Sequence, residues 1–205
     1  TASADGRAIV LELVRKVSEQ VFIPLTVGGG IRSFADVRTI LKSGADKVSV
    51  NSAHVNTPAI INETSESFGS QCIVAAVDVL RKPVGVEDAP EWEIYINGGR
   101  KATGIDALEW VEELVDRGAG ELVLNSIDAD GTLDGYDIEL NLEVSKRVNV
   151  PIVASGGAGS MEHIYEVLTD GQASAALAAS IFHYKKHSIP EVKNFLKERG
   201  VIVRL

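Results

Sequence analysis

The chain has 205 residues, of which 45% are hydrophobic and 24% charged, the composition of a globular protein with enough length for a large core. A net charge of −9 argues against nucleic acid or an anionic membrane as partner, since both need a basic face, and no apolar run is long enough to span a bilayer. With Cys72 as the lone cysteine no internal disulfide is available, and a reducing, cytoplasmic setting is expected.

In chain order the pattern predicts a helix at Arg7–Glu19, a strand at Pro24–Val27 and a helix at Ser33–Lys42. A strand at Lys47–Val50, a helix at Thr57–Phe68 and a strand at Cys72–Val77 follow. Leu80–Arg100 is irregular; within it Trp92-Glu93-Ile94-Tyr95-Ile96 alternates and Asn97-Gly98-Gly99 makes a turn, so a small inserted hairpin is expected. The rhythm resumes with a helix at Ile105–Arg117, a strand at Glu121–Ser126 and a helix at Ile138–Val148. It ends with a strand at Ile152–Ala154, a helix at Ser160–Leu168, a strand at Ala175–Leu177 and a helix at Pro190–Glu198. Gly44, Gly118, Gly120 and Gly171 stand just past helices, where a left-handed residue is expected. The strands are nearly continuous apolar runs, as in parallel sheets covered on both faces.

The segment Leu25-Thr26-Val27-Gly28-Gly29-Gly30-Ile31-Arg32-Ser33 has a diverged copy in Ile152-Val153-Ala154-Ser155-Gly156-Gly157-Ala158-Gly159-Ser160. The next strands repeat too, Lys47–Ser52 answering to Ala175–Ser180. With about 128 residues between copies, far beyond any solenoid period, the expected fold is α/β, a single (β/α)8 TIM-type barrel domain over residues 1–205 built from two half-barrel repeats. Six strands are visible where a barrel needs eight. The repeat offset puts the counterparts of Cys72–Val77 and Glu121–Ser126 upstream of Thr1, so the first two strands are expected outside these residues, in a strand–helix–strand of roughly fifty residues.

One glycine turn after a strand is weak, since a tight βα loop explains it equally well. Two at matching places are stronger: each puts backbone N–H groups at a helix start, where unpaired donors and the helix dipole favour phosphate. Asn51-Ser52 and Ala179-Ser180 add donors beside each turn, and Ser180–Tyr184 fits a short phosphate-binding helix. A substrate with a phosphate at each end is the reading. Asp78 ends the apolar strand and would enter the barrel mouth as an acid/base group, the alternative being a loop cap. Asp128 and Asp130, in Asn125–Thr132, are either turn residues or part of a carboxylate cluster; their spacing fits no metal-ligand pattern, and no metal or cofactor is expected. His54, His163, His183 and His187 are read as structural or surface residues, Cys72 as a packed thiol, and Lys47 with Glu121 as a surface ion pair.

Several stretches together resemble one family, the cyclase subunit of imidazole glycerol phosphate synthase in histidine biosynthesis. They are Pro24–Ile31, Gly44–Asn51, Phe68–Gln71, Gly118–Glu121, Asn125–Asp137, Ala154–Gly159, Ala176–His183 and Gly200–Leu205. The resemblance implies a (β/α)8 barrel that uses ammonia on a bis-phosphorylated ribulosyl-formimino aminoimidazole carboxamide ribonucleotide. Imidazole glycerol phosphate and aminoimidazole carboxamide ribotide would be its products. It makes Asp78 one of two catalytic aspartates, the other expected upstream of Thr1, and Asp130 a supporting active-site aspartate next to Gly131 of a phosphate loop. Gly30, Asn51 and Ser52 match one phosphate site; Gly157, Ala179 and Ser180 match the other. A glutaminase partner is implied at the opposite end of the barrel, with Lys47 and Glu121 in a charged ammonia gate and Asp46 at the partner interface. The departures are Ala129 where arginine is frequent, a longer hairpin insert, and an extra residue near Gln172. The sister isomerase of the pathway and a non-catalytic barrel that binds phosphates or a glutaminase are the competing readings.

Overall fold

The computed structural model describes residues 4–83, 85 and 89–204, with side chains of the first helix from residue 10 onward; Val84, Val86, Glu87 and Asp88 of the irregular stretch, and Leu205 of the tail, lie outside the described residues. Two compact units emerge, residues 1–76 with 113–121, and residues 77–112 with 122–205.

In the first unit β1 (Thr26–Gly28), β2 (Lys47–Val50) and the first half of β3 (Ile73–Arg81) run parallel, Val27 opposite Val48 and Ser49 opposite Val74. The helices are α1 (Ala4–Ser18), α2 (Phe34–Lys42), α3 (Ser52–Asn56) and α4 (Ala59–Phe68). α2 starts where Ser33 and Asp36 form a reciprocal capping box and buries Val37 and Ile40, one turn apart. The single helix expected at Thr57–Phe68 is corrected to α4 with a separate five-residue α3 before it. Pro58 is the cause: it pushes Thr57 out of helical geometry, to φ −145°, ψ 80°.

β3 also departs from expectation at both ends. Ser70–Cys72 is a 3₁₀ turn, so Cys72 precedes the strand, and the strand continues through Asp78 to Arg81. In the second unit its latter half is extended by the hairpin β4 (Trp92–Ile96) and β5 (Lys101–Asp106), with Asp78 opposite Tyr95 and Arg81 opposite Trp92. Ile105 and Asp106 therefore close a strand, and α5 begins at Ala107 (Ala107–Asp116), capped by Asp106, whose carboxylate accepts from Glu109 N at 2.9 Å.

From Leu122 the second unit continues with the body of β6 (Glu121–Ser126), then α6 (Ile138–Ser145), β7 (Ile152–Ser155), α7 (Met161–Thr169), β8 (Ala175–Ala176), α8 (Ser180–His183) and α9 (Ile189–Glu198). β3 neighbours β6, and β6, β7 and β8 are parallel, Asn125 opposite Ser155 and Ala154 opposite Ala176. One sheet face sends Ala154 into a core with Tyr136, Ile164, Val167, Ile181, Val192 and Leu196. Burial alternates along β6 and β7, so Val123, Asn125, Val153 and Ser155 share the other, half-buried face.

The repeat is visible in each unit taken separately. Ser33 and Ser160 both cap a helix through the N–H three residues on, and Gly29-Gly30 and Gly156-Gly157 all have positive φ. This aligns the two glycine-turn segments residue for residue as the sequence pairs them, Ser33 with Ser160. Gly44 and Gly118 are left-handed as expected, whereas Gly120 and Gly171 are not; there a side chain would collide with the carbonyl oxygens of Ser70 and Val167.

Candidate active site

Asp78 lies within β3 rather than at its end, and only 7% of its surface is exposed. Its Oδ1 accepts a hydrogen bond from Asn125 Nδ2 at 3.2 Å, and Asn125 Oδ1 accepts from Ser155 Oγ at 3.1 Å. The three residues stand towards the C-terminal ends of β3, β6 and β7, the end of a parallel α/β sheet where ligands bind. Neither Asn125 nor Ser155 was singled out from the sequence. The available signal was a polar residue closing each apolar run, the same signal that exposed Asp78.

Asp128 and Asp130 part company. Asp128 Oδ2 accepts from Arg81 N at 2.8 Å, tying the loop after β6 to the end of β3. Asp130 is exposed, placed by a turn in which its N–H donates to Ser126 O at 2.9 Å, with Gly131 at φ +81° beside it. Asp130 stands outside the Ser155–Asn125–Asp78 chain. The backbone around Gly131 then meets the second glycine turn: Gly135 N donates to Gly157 O at 2.9 Å. His163, a structural residue as expected, accepts from Gly159 N at 3.2 Å. Tyr136 Oη donates to Leu177 O at 3.0 Å, and burial pushes its phenol pKa well up. Loops after β6, β7 and β8 are thereby joined.

The expected phosphate donors need one correction. The starts of α2 and α7 are occupied by their own caps: Ser33 and Ser160 accept from Asp36 N and His163 N, and Asp36 Oδ2 takes the N–H groups of Arg32 and Ser33. The short helices after the following strands differ. α3 begins at Asn51-Ser52 and α8 at Ala179-Ser180, and neither Asn51 nor Ala179 caps its helix with a side-chain hydrogen bond. α8 was expected from the sequence; its counterpart α3 was not.

Two further sequence candidates meet in the first unit. Lys47 Nζ lies 2.5 Å from Glu121 Oε2, with side chains 30% and 18% exposed, at the N-terminal ends of β2 and β6. Asp46 is exposed and accepts from Leu25 N at 2.8 Å, which fixes the entry to β1. His54 is fully buried, its Nε2 2.8 Å from Ala76 O, in keeping with a structural role. Among the described residues no group of three or more His, Cys, Asp or Glu could hold a metal, and no helix is long and apolar enough to cross a membrane.

Residues 1–188 match the family described as histidine biosynthesis protein. The chain is also similar to the imidazole glycerol phosphate synthase subunit HisF of Clostridium botulinum (strain Okra / Type B1), 52% identical over all 205 residues and covering 79% of that protein. The chain belongs to the histidine biosynthesis protein family. The α/β barrel class expected from the repeat is the fold of that family. The sequence located the glycine turns at strand ends; it put Asp78 at the end of a strand that in fact runs on to Arg81, and it missed the partners that hold Asp78 in place.

Proposed function

We propose that this chain is the cyclase subunit of an imidazole glycerol phosphate synthase. Its substrates are ammonia and the bis-phosphorylated ribulosyl-formimino aminoimidazole carboxamide ribonucleotide; its products are imidazole glycerol phosphate and aminoimidazole carboxamide ribotide. The observation that carries the reading is Asp78, a nearly buried carboxylate held by an amide–hydroxyl pair at the strand ends, in the same unit as the Gly156-Gly157 turn and Ala179-Ser180. Asp78 exchanges a proton with the substrate as ammonia adds to the ribulosyl carbonyl, the imidazole ring closes and the ribotide is eliminated. Gly131, Gly157, Ala179 and Ser180 bind one phosphate; Gly30, Asn51 and Ser52 bind the other, so that binding energy orients the reacting centre. Asp130, on its exposed turn, supports the substrate from the loop after β6.

Ammonia comes from a glutaminase subunit, with Asp46 at the docking face and the Lys47–Glu121 pair at the entrance to the barrel. The half-buried, directly paired geometry of these two charges supports a gate. The enzyme works in the cytoplasm. The test is Asp78→Asn in the intact protein, assayed with ammonium salts. Turnover is expected to fall by about two to four orders of magnitude while substrate still binds. Near-normal turnover would remove Asp78 from the mechanism. Product formation without ammonia would instead favour the sister isomerase.

A further inference from the structure

We propose that Asn125 and Ser155 form a positioning relay for Asp78, committing one carboxylate oxygen to the protein and leaving the other to exchange protons with substrate. The inference rests on the reading of Asp78 as the acid/base group. It deepens that reading by naming what aims the group.

The geometry points one way along the chain of contacts. Asn125 Nδ2 donates to Asp78 Oδ1 at 3.2 Å, and Ser155 Oγ donates to Asn125 Oδ1 at 3.1 Å. An ionised carboxylate only accepts, so the amide must present its NH₂ group to it. The amide oxygen then faces away and requires a donor, which the Ser155 hydroxyl is. The reverse amide orientation sets its oxygen against a carboxylate oxygen, so the network itself assigns the amide.

Position supports the same role. Asn125 and Ser155 are opposite one another in the β6–β7 register, and Asp78 is on β3, the other neighbour of β6. All three side chains come from sheet rather than loop, so their backbones are fixed before substrate arrives. The terminal torsion of an aspartate is broad, and an unrestrained carboxylate samples orientations that miss a bound substrate atom. One hydrogen bond to Oδ1 narrows that range and leaves Oδ2 available. A group used in this way acts on the chemical step and leaves ground-state binding of the two phosphates alone.

The experiment measures ammonia-dependent turnover of the intact protein with the bis-phosphorylated ribulosyl-formimino substrate. Its variants are Asn125→Val, Asn125→Thr, Ser155→Ala, the Asn125→Val/Ser155→Ala double and Asp78→Asn. Valine and threonine have nearly the same shape, and only threonine keeps a donor. Asn125→Val is expected to lower kcat about thirtyfold with KM within about threefold, since misaimed groups at this distance cost up to about a hundredfold. Asn125→Thr is expected to recover about fivefold or more of that loss, and Ser155→Ala to lower kcat by about threefold to tenfold. The double variant matches Asn125→Val alone, because a relay already broken cannot be broken again. Thermal unfolding of each variant reports whether it is folded. Equal losses for the valine and threonine variants, a rise in KM alone, additive losses in the double, or wild-type kcat in Asn125→Val would each overturn the relay. Full turnover in Asp78→Asn would overturn the acid/base reading and the relay together; an inactive Asp78→Asn beside a fully active Asn125→Val overturns the relay only.

Discussion

Gly157 O accepts a 2.9 Å hydrogen bond from Gly135 N, and the same approach leaves no room for a side chain on Gly157, whose Cβ would collide with Gly135 O. Two loops separated by the whole of α6 and β7 thus touch backbone to backbone. The second glycine turn is built by packing, whereas a Cβ on Gly30 in the first turn meets nothing within 4 Å.

The two turns should therefore respond differently to alanine. Gly157→Ala combines strain at φ +97° with a collision against main chain, and is expected to destabilise by about 3 kcal/mol or more. Gly30→Ala carries only the strain of φ +71°, about 1 kcal/mol. Urea unfolding of both variants checks the contrast; equal losses would contradict it.

Lys47 and Glu121 are partly exposed, so their pairing is a weak source of stability. Lys47→Met is expected to change unfolding free energy by about 1 kcal/mol at most. If the pair gates ammonia, the same variant lowers glutamine-driven turnover with the glutaminase bound while turnover on added ammonium salts is retained. Parallel assays with the two nitrogen sources decide it.

Trp92 anchors the hairpin. Its ring is 1% exposed, its Nε1 donates to Asp137 Oδ2 at 3.0 Å, and Arg81 lies 5.0 Å over its face while pairing with Glu139 at 2.6 Å. Asp137 also caps α6 by accepting from Leu140 N at 2.9 Å. Trp92→Phe keeps an aromatic ring and loses a hydrogen bond to a carboxylate, which is expected to destabilise by about 2 kcal/mol. Asp137→Ala removes the Trp92, Arg81 and cap interactions together and should be the more destabilising of the two. Chemical denaturation of both gives the order.

Tyr136 gives a pH signature. Burial raises its folded pKa, so its neutral form is favoured in the folded state. The corresponding stability is fully present below the ordinary phenol range and is lost as pH rises through that range toward the folded value. Tyr136→Phe loses the hydrogen bond to Leu177 O, about 1 kcal/mol at neutral pH. The gap between variant and wild type should narrow above about pH 10, where only the wild type must keep a phenol neutral. Denaturation curves at neutral and alkaline pH test this; a gap that widens would reverse the assignment.

Much of the site was legible one residue at a time. Asp78 after Ile73–Val77, the turns at Gly28–Gly30 and Gly156-Gly157, and the hairpin turn at Asn97-Gly98 all announce themselves by local contrast. Other features have no local sign. Strand β3 runs on to Arg81 because Trp92–Tyr95 pairs with it, and nothing in Val79-Leu80-Arg81 distinguishes strand from loop before that pairing exists. At the approach to α2 the N–H groups of Arg32 and Ser33 are taken by Asp36, a residue that reads equally well as ordinary first-turn charge.

By itself the sequence determined where the main strands and helices lie, that they alternate, and that the pattern occurs twice, because periodic burial and glycine conformation are properties of neighbouring residues. The tertiary structure alone decided that Asn125 and Ser155 hold Asp78, that Lys47 meets Glu121, and that Gly135 abuts Gly157. Those contacts join residues 22 to 74 positions apart in the chain, and a hydrogen bond or charge pair of that span exists only once the sheet has brought its strands into register.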